Sequence, residues 1–121
     1  MSINSYKDLD VWKKSMRLAK SVYDLTCEYP KDELYGLTNQ MRRAAISIPS
    51  NIAEGYARRS ANSYRQFLLI ASGSKCELET QLLLSIEIGY VKQEDVKEVL
   101  SLLDDVGRML IVLINKLEKI R

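Results

Sequence analysis

From Val96 onward the chain sets an apolar residue at every third or fourth position: Val96, Val99, Leu103, Val106, Leu110, Leu113, Leu117 and Ile120. Strict three-four alternation sustained over more than three heptads gathers these side chains on one face of a helix. A strand would send alternate residues to opposite sides. A second stripe, Leu100, Gly107, Ile111 and Ile114, runs beside the first, and Leu102, Met109 and Val112 are apolar as well. Asp104, Asp105, Arg108, Asn115 and Glu118 leave only part of the surface polar. A helix of this kind must bury its stripe against other helices.

The rest of the chain supplies them. Residues 1–7 read as a polar lead-in, and a first helix is expected over 8–28. Its main stripe is Leu9, Trp12, Met16, Ala19, Tyr23 and Thr26, with Val11, Leu18, Val22, Leu25 and Tyr29 beside it. Pro30 ends it, because the residue before a proline is pushed out of the α region. A second helix is expected over 37–59, after a turn at Pro30–Glu33 and Gly36. Pro49 lies inside it and removes one backbone hydrogen bond, at a cost of roughly 3 kcal/mol. The apolar series Met41, Ala44, Ile48 and Ile52 keeps its phase across Pro49, so one kinked helix is preferred to two. Ser60 or Asn62 can cap a third helix over 63–88, which Gly89 closes, and the fourth spans 93–119. The expected fold is all-α: an antiparallel, up-down-up-down four-helix bundle forming a single domain over 1–121.

Five glycines and two prolines leave too few turn residues for an all-β chain. Helices one, three and four each carry more apolar surface than one stripe. A lone 121-residue subunit cannot bury all of it, so a homo-oligomer is expected. No apolar leader opens the sequence, and the longest apolar run, Met109 to Ile114, is too short to cross a bilayer. A cytoplasmic protein without a membrane partner is expected. Cys27 and Cys76 lie far apart in apolar helical settings and read as buried free thiols, with no metal-ligand spacing.

Net charge is +2 but unevenly spread. Residues 36–75 hold Arg42, Arg43, Arg58, Arg59, Arg65 and Lys75 against Glu54 alone, whereas residues 76–121 are net negative. Such a pattern suits an anionic partner for the middle segment, or head-to-tail pairing of subunits. The six cations are the candidate nucleic-acid contacts, because guanidinium forks grip phosphate. Adjacent arginines point about a third of a turn apart, so not all six share one face. The alternative is a solvated face or a set of inter-subunit ion pairs.

Gln40, Arg43, Ser47, Asn51, Glu54 and Arg58 form a polar stripe at helical spacing. Asn51 and Glu54 sit among apolar residues and look partly buried. Gln40, Ser47, Asn51 and Glu54 read as a structural network that fixes helix register. The functional alternative is an acid/base site on Glu54, but no histidine exists and no second carboxylate accompanies it. Ser72-Gly73-Ser74-Lys75 lacks the glycine spacing of a phosphate loop and lies in a helical pattern. No catalytic residue, cofactor, metal or small-molecule substrate is expected.

Several stretches together resemble a known family. They are YGLTNQMRRAAISIPSNIAEG with Arg58-Arg59-Ser60 after it, Leu9-x-Val11-Trp12, Tyr29-Pro30, Phe67-Leu68-x-Ile70-Ala71-x-Gly73-Ser74, and Glu77-Leu78-Glu79-Thr80-Gln81-Leu82. The chain resembles the bacterial four-helix bundle proteins encoded in intervening sequences of 23S ribosomal RNA genes. The resemblance covers nearly the whole chain. It implies a ring-like homopentamer and, from the genomic origin, a relation to rRNA fragments or their processing. The accessory proteins of diversity-generating retroelements are similar in fold, basic, and associated with RNA and a reverse transcriptase. By that parallel Arg42, Arg43, Arg58 and Arg59 are the residues implied in RNA contact. The reading that follows is a non-enzymatic, RNA-associated oligomer; the alternative is a protein-interaction scaffold that touches no nucleic acid.

Overall fold

Four helices account for most of residues 4–119, the part of the chain that the computed structural model describes. They are α1 (Asp10–Thr26), α2 (Leu37–Ala57), α3 (Ala61–Ile88) and α4 (Lys97–Glu118). Each packs on the next in sequence, and α4 closes back on α1. The result is the antiparallel four-helix bundle, with no strand among the described residues. Ile120, the last member of the α4 stripe, lies outside the described residues, as does the start of the lead-in.

The helix ends differ from the expected ones for local reasons. Asp8 belongs to a short 3₁₀ turn, Tyr6–Asp8, and the extended backbone at Leu9 separates it from α1. The Pro30 turn carries its own 3₁₀ segment, Lys31–Glu33. α2 stops two residues early because Arg59 takes a left-handed conformation, φ 62°. α3 starts two residues early because Ser60 caps it, its Oγ accepting from the Ser63 N–H at 3.1 Å. At the other end Gly89 has φ 94°, and the Gly89 and Tyr90 amides return to the Ile86 and Ser85 carbonyls. That pair of bonds is a Schellman stop, and its left-handed residue is the one glycine tolerates without penalty. A 3₁₀ turn, Gln93–Val96, leads directly into α4.

α2 runs unbroken through Pro49, which is buried. The phase argument explains why: Met41, Ala44, Ile48 and Ile52 all reach the core, and a break would move one half of them out. Leu68, Ala71, Leu78 and Leu82 of α3 and Val99, Leu103, Val106 and Leu110 of α4 meet them there. In α1 the two stripes exchange roles. Val11, Leu18, Val22 and Tyr29 are buried, whereas Met16 and Tyr23 of the expected main stripe are exposed. Ser15 completes the buried line and gives its hydroxyl proton to the Trp12 carbonyl at 2.8 Å, so burying it leaves no donor unmatched. Both cysteines are exposed, against expectation. Cys27 follows the last residue of α1, and Cys76 falls on the outward line of α3.

Two contacts fix the ends of the bundle. Near the α2–α3 turn, a Cβ on Gly55 would stand 2.7 Å from the Phe67 Cβ and 3.1 Å from Tyr64 Cδ1. The helices approach there because residue 55 has no side chain. At the opposite end, Glu33 accepts from the Leu37 N–H at 3.1 Å and from the Tyr90 hydroxyl at 2.6 Å. One carboxylate thus caps α2 and ties it to the α3–α4 turn. The Tyr90 bond, then the Leu37 amide, holds the Glu33 carboxyl below its ordinary range, and the same bond raises the Tyr90 phenol.

Gly55→Ala is expected to destabilise the fold by about 1 kcal/mol, overpacking of roughly 1–3 kcal/mol being offset in part by the better helix propensity of alanine; urea unfolding midpoints measure it. The Glu33–Tyr90 link is whole at neutral pH. Its contribution is lost as pH falls through a Glu33 value below the usual 4.5, and as pH rises through a Tyr90 value above 10.0. Tyr90→Phe is therefore expected to weaken the protein at neutral pH and to flatten the acid limb of its stability–pH curve. An unchanged acid limb would mean that the carboxylate contributes nothing through this bond.

Candidate nucleic-acid interface

The six candidate cations do not form a single strip. Arg42 turns back onto the end of α1. Its Nε donates to Thr26 Oγ1 at 2.9 Å, and its guanidinium lies 4.7 Å from the centre of the Tyr23 ring. Arg58 crosses to α3, where it stands 5.1 Å from the centre of the Phe67 ring and pairs with Glu54 at 3.6 Å. Arg65 approaches Glu118 of α4 at 3.9 Å. Lys75 pairs with Glu79 at 3.1 Å, and its stem lies over Gly107, where a Cβ would meet Lys75 Cε at 2.8 Å. Arg43 and Arg59 are exposed and make no ion pair among the described residues. The bundle thus spreads these charges over the α1–α2, α2–α3 and α3–α4 seams.

The polar stripe runs along the edge of α2 that faces α3, and it divides. Asn51 Nδ2 donates to the Ser47 carbonyl at 2.8 Å and to Ser47 Oγ at 2.9 Å. Ser47 Oγ shares a 2.8 Å hydrogen bond with Ser74 Oγ of α3. These three half-buried residues make a satisfied cross-helix network. Gln40 and Glu54 are exposed and stand outside it. Glu54 was expected to be partly buried; it sits near the open end of the stripe, where its carboxylate meets Arg58. Ser74 was visible only as a small residue in α3, and nothing in its own helix pattern marks it as the partner of Ser47.

The most conspicuous surface is one the charge pattern does not announce. From Leu69 to Ile88 the exposed positions of α3 are Leu69, Ile70, Gly73, Cys76, Glu77, Thr80, Leu83, Leu84, Glu87 and Ile88. Only two of these ten carry charge. Soluble monomers seldom leave a continuous face of that kind in water. Among the described residues no three of His, Cys, Asp and Glu are grouped to hold a metal ion, and no helix is long and apolar enough to cross a membrane.

With this geometry in hand, the relatives are informative. No curated protein sequence is matched. Among solved structures, a protein of unknown function from the S23 ribosomal protein family of Bacteroides thetaiotaomicron superposes with a TM-score of 0.77. The match covers 86% of this chain and 97% of that one at 24% identity, and it shows the same fold. The sequence model described as 23S rRNA-intervening sequence protein matches residues 7–112. By that match over most of its length, the chain belongs to the family of 23S rRNA-intervening sequence proteins.

Proposed function

We propose that this protein is a binding component with no catalysis of its own, which assembles with copies of itself in the cytoplasm and holds RNA by its phosphates. The observation that supports assembly is the outward face of α3, whose leucines and isoleucines a lone subunit leaves in water. A second copy covers such a face most simply, and the ring of five implied by the resemblance is the arrangement we favour. RNA as the partner is supported by the family's description and by Arg43 and Arg59, exposed beside the partly engaged Arg42 and Arg58. Guanidinium contacts to phosphate position a strand and read little sequence. The absence of histidine and the solvent-side pairing of Glu54 with Arg58 support the non-enzymatic reading.

A second reading is favoured by a specific observation: Arg42, Arg58, Arg65 and Lys75 already have protein partners. Under that reading the chain is a scaffold whose cations serve protein contacts alone. Filter binding to structured RNA across a salt series separates the two. Arg43→Ala is expected to weaken binding at low salt and to reduce the slope of log affinity against log salt by about one, with helicity unchanged. Absence of wild-type binding at low salt would leave the scaffold. Sedimentation tests the assembly. Leu83→Glu is expected to release single subunits of unchanged helical content, and a wild-type protein that sediments as one subunit would overturn the oligomer.

A further inference from the structure

At the end of the bundle where α2 passes into α3, the turn meets the Asn4–Tyr6 segment and Leu117 of α4. Between them lies a cleft of about 650 Å³. That is within the roughly 300–1,000 Å³ span of small-molecule sites. Three tyrosines, Tyr6, Tyr56 and Tyr64, line it together with Arg59. The rings are held in place: Tyr56 and Tyr64 meet edge to face at 5.8 Å, and Tyr6 meets Trp12 at 5.4 Å.

The charge of the cleft is as informative as its shape. Two other clefts open on the bundle. One is walled by Asp8, Asp10 and Asp105 with Lys14, Arg108 and Lys116 among them, the other by Asp24, Glu28, Asp95 and Glu98. Among the described residues the tyrosine cleft has no carboxylate in its wall, and its one charged side chain is Arg59. An anion is repelled from the cleft of four carboxylates, meets no net charge in the mixed one, and is drawn to this one. Arg59 also holds a left-handed backbone, φ 62°, at the position after a helix where glycine is the usual residue. Tyr64 adds a hydroxyl that is buried with no hydrogen-bond partner among the described residues. Burial raises its pKa to about 12, so it stays a neutral donor at physiological pH.

We infer that this cleft takes one unpaired nucleotide, the base stacking among Tyr6, Tyr56 and Tyr64 and the phosphate meeting Arg59. Aromatic walls accept any base face, and a single guanidinium suits the one phosphate that accompanies it. The inference rests on the RNA reading for its source of nucleotide and adds to it a place where a base, and not only backbone, is held. The same chemistry is offered by a free nucleoside monophosphate, and the test separates the two.

The probes are a dye-labelled single-stranded oligoribonucleotide, an abasic strand with the same number of phosphates, and adenosine monophosphate as competitor, all read by fluorescence anisotropy. The variants are Arg59→Gly, which the left-handed backbone accommodates and which should melt no lower than the wild type, and Tyr56→Leu. The wild type is expected to hold the base-bearing strand on the order of tenfold more tightly than the abasic one. Both variants should lose that difference, and adenosine monophosphate should compete. Equal binding of the two strands overturns the cleft as a base site and leaves the phosphate reading standing. A base preference that Arg59→Gly leaves intact also overturns it. If no strand binds but adenosine monophosphate gives a saturable thermal shift that Arg59→Gly abolishes, the cleft stands as a free-nucleotide site and the RNA reading falls. If neither probe binds, both fall.

Discussion

The approach of α2 to α3 at Gly55 is the constraint on which much else depends. With a bare Cα there, Phe67 and Tyr64 lie directly against the α2 backbone. Phe67 then becomes a platform for Arg58, and Tyr64 becomes a wall of the end cleft, its ring braced by Tyr56. Further along the same seam, Ser47, Asn51 and Ser74 join hands across the helices. Sliding one helix by a turn moves those groups about 5.4 Å apart, so the polar bonds set the register that the small residue permits.

The architecture could be read from the chain because periodicity carries it. Three-four alternation in α4 and the phase kept across Pro49 in α2 both identify surfaces that reach the core. α1 shows where that reasoning fails. Two stripes of similar apolarity lie side by side there, and the choice turns on Ser15, a polar residue that satisfies itself on its own helix and so joins the buried line. The exposure of Cys76 is illegible for a related reason: α3 carries apolar residues on its outer face as well as its inner one, so its pattern does not distinguish the two. The candidate site was less legible still. A sequence displays its arginines but not the rings and carboxylates that meet them, and Tyr23, Phe67 and Glu118 come from three other helices or turns. The tyrosine cleft draws on residues 6, 56 and 64, which no spacing rule relates.

On the proposed reading the surface divides its labour. The flank of α3 is suited to another protein surface, being broad, apolar and nearly uncharged. The end of the bundle, where Arg59 stands among tyrosines, would suit a small anionic and aromatic group. The two lie on different stretches of the chain, the apolar face on residues 69–88 and the cleft around the α2–α3 turn. A repeated array of subunits joined through their flanks would present its end clefts as a set.

Pro49 has a mechanical consequence. Having no N–H, it leaves the Ala45 carbonyl without its rung, and a helix bends most readily where a rung is missing. The arginine pairs stand on either side of that weak point, Arg42 braced on α1 and Arg58 on α3. The backbone of α2 therefore lacks a rung midway between the two arginine pairs, and any bending of the helix at that point would alter the spacing between them.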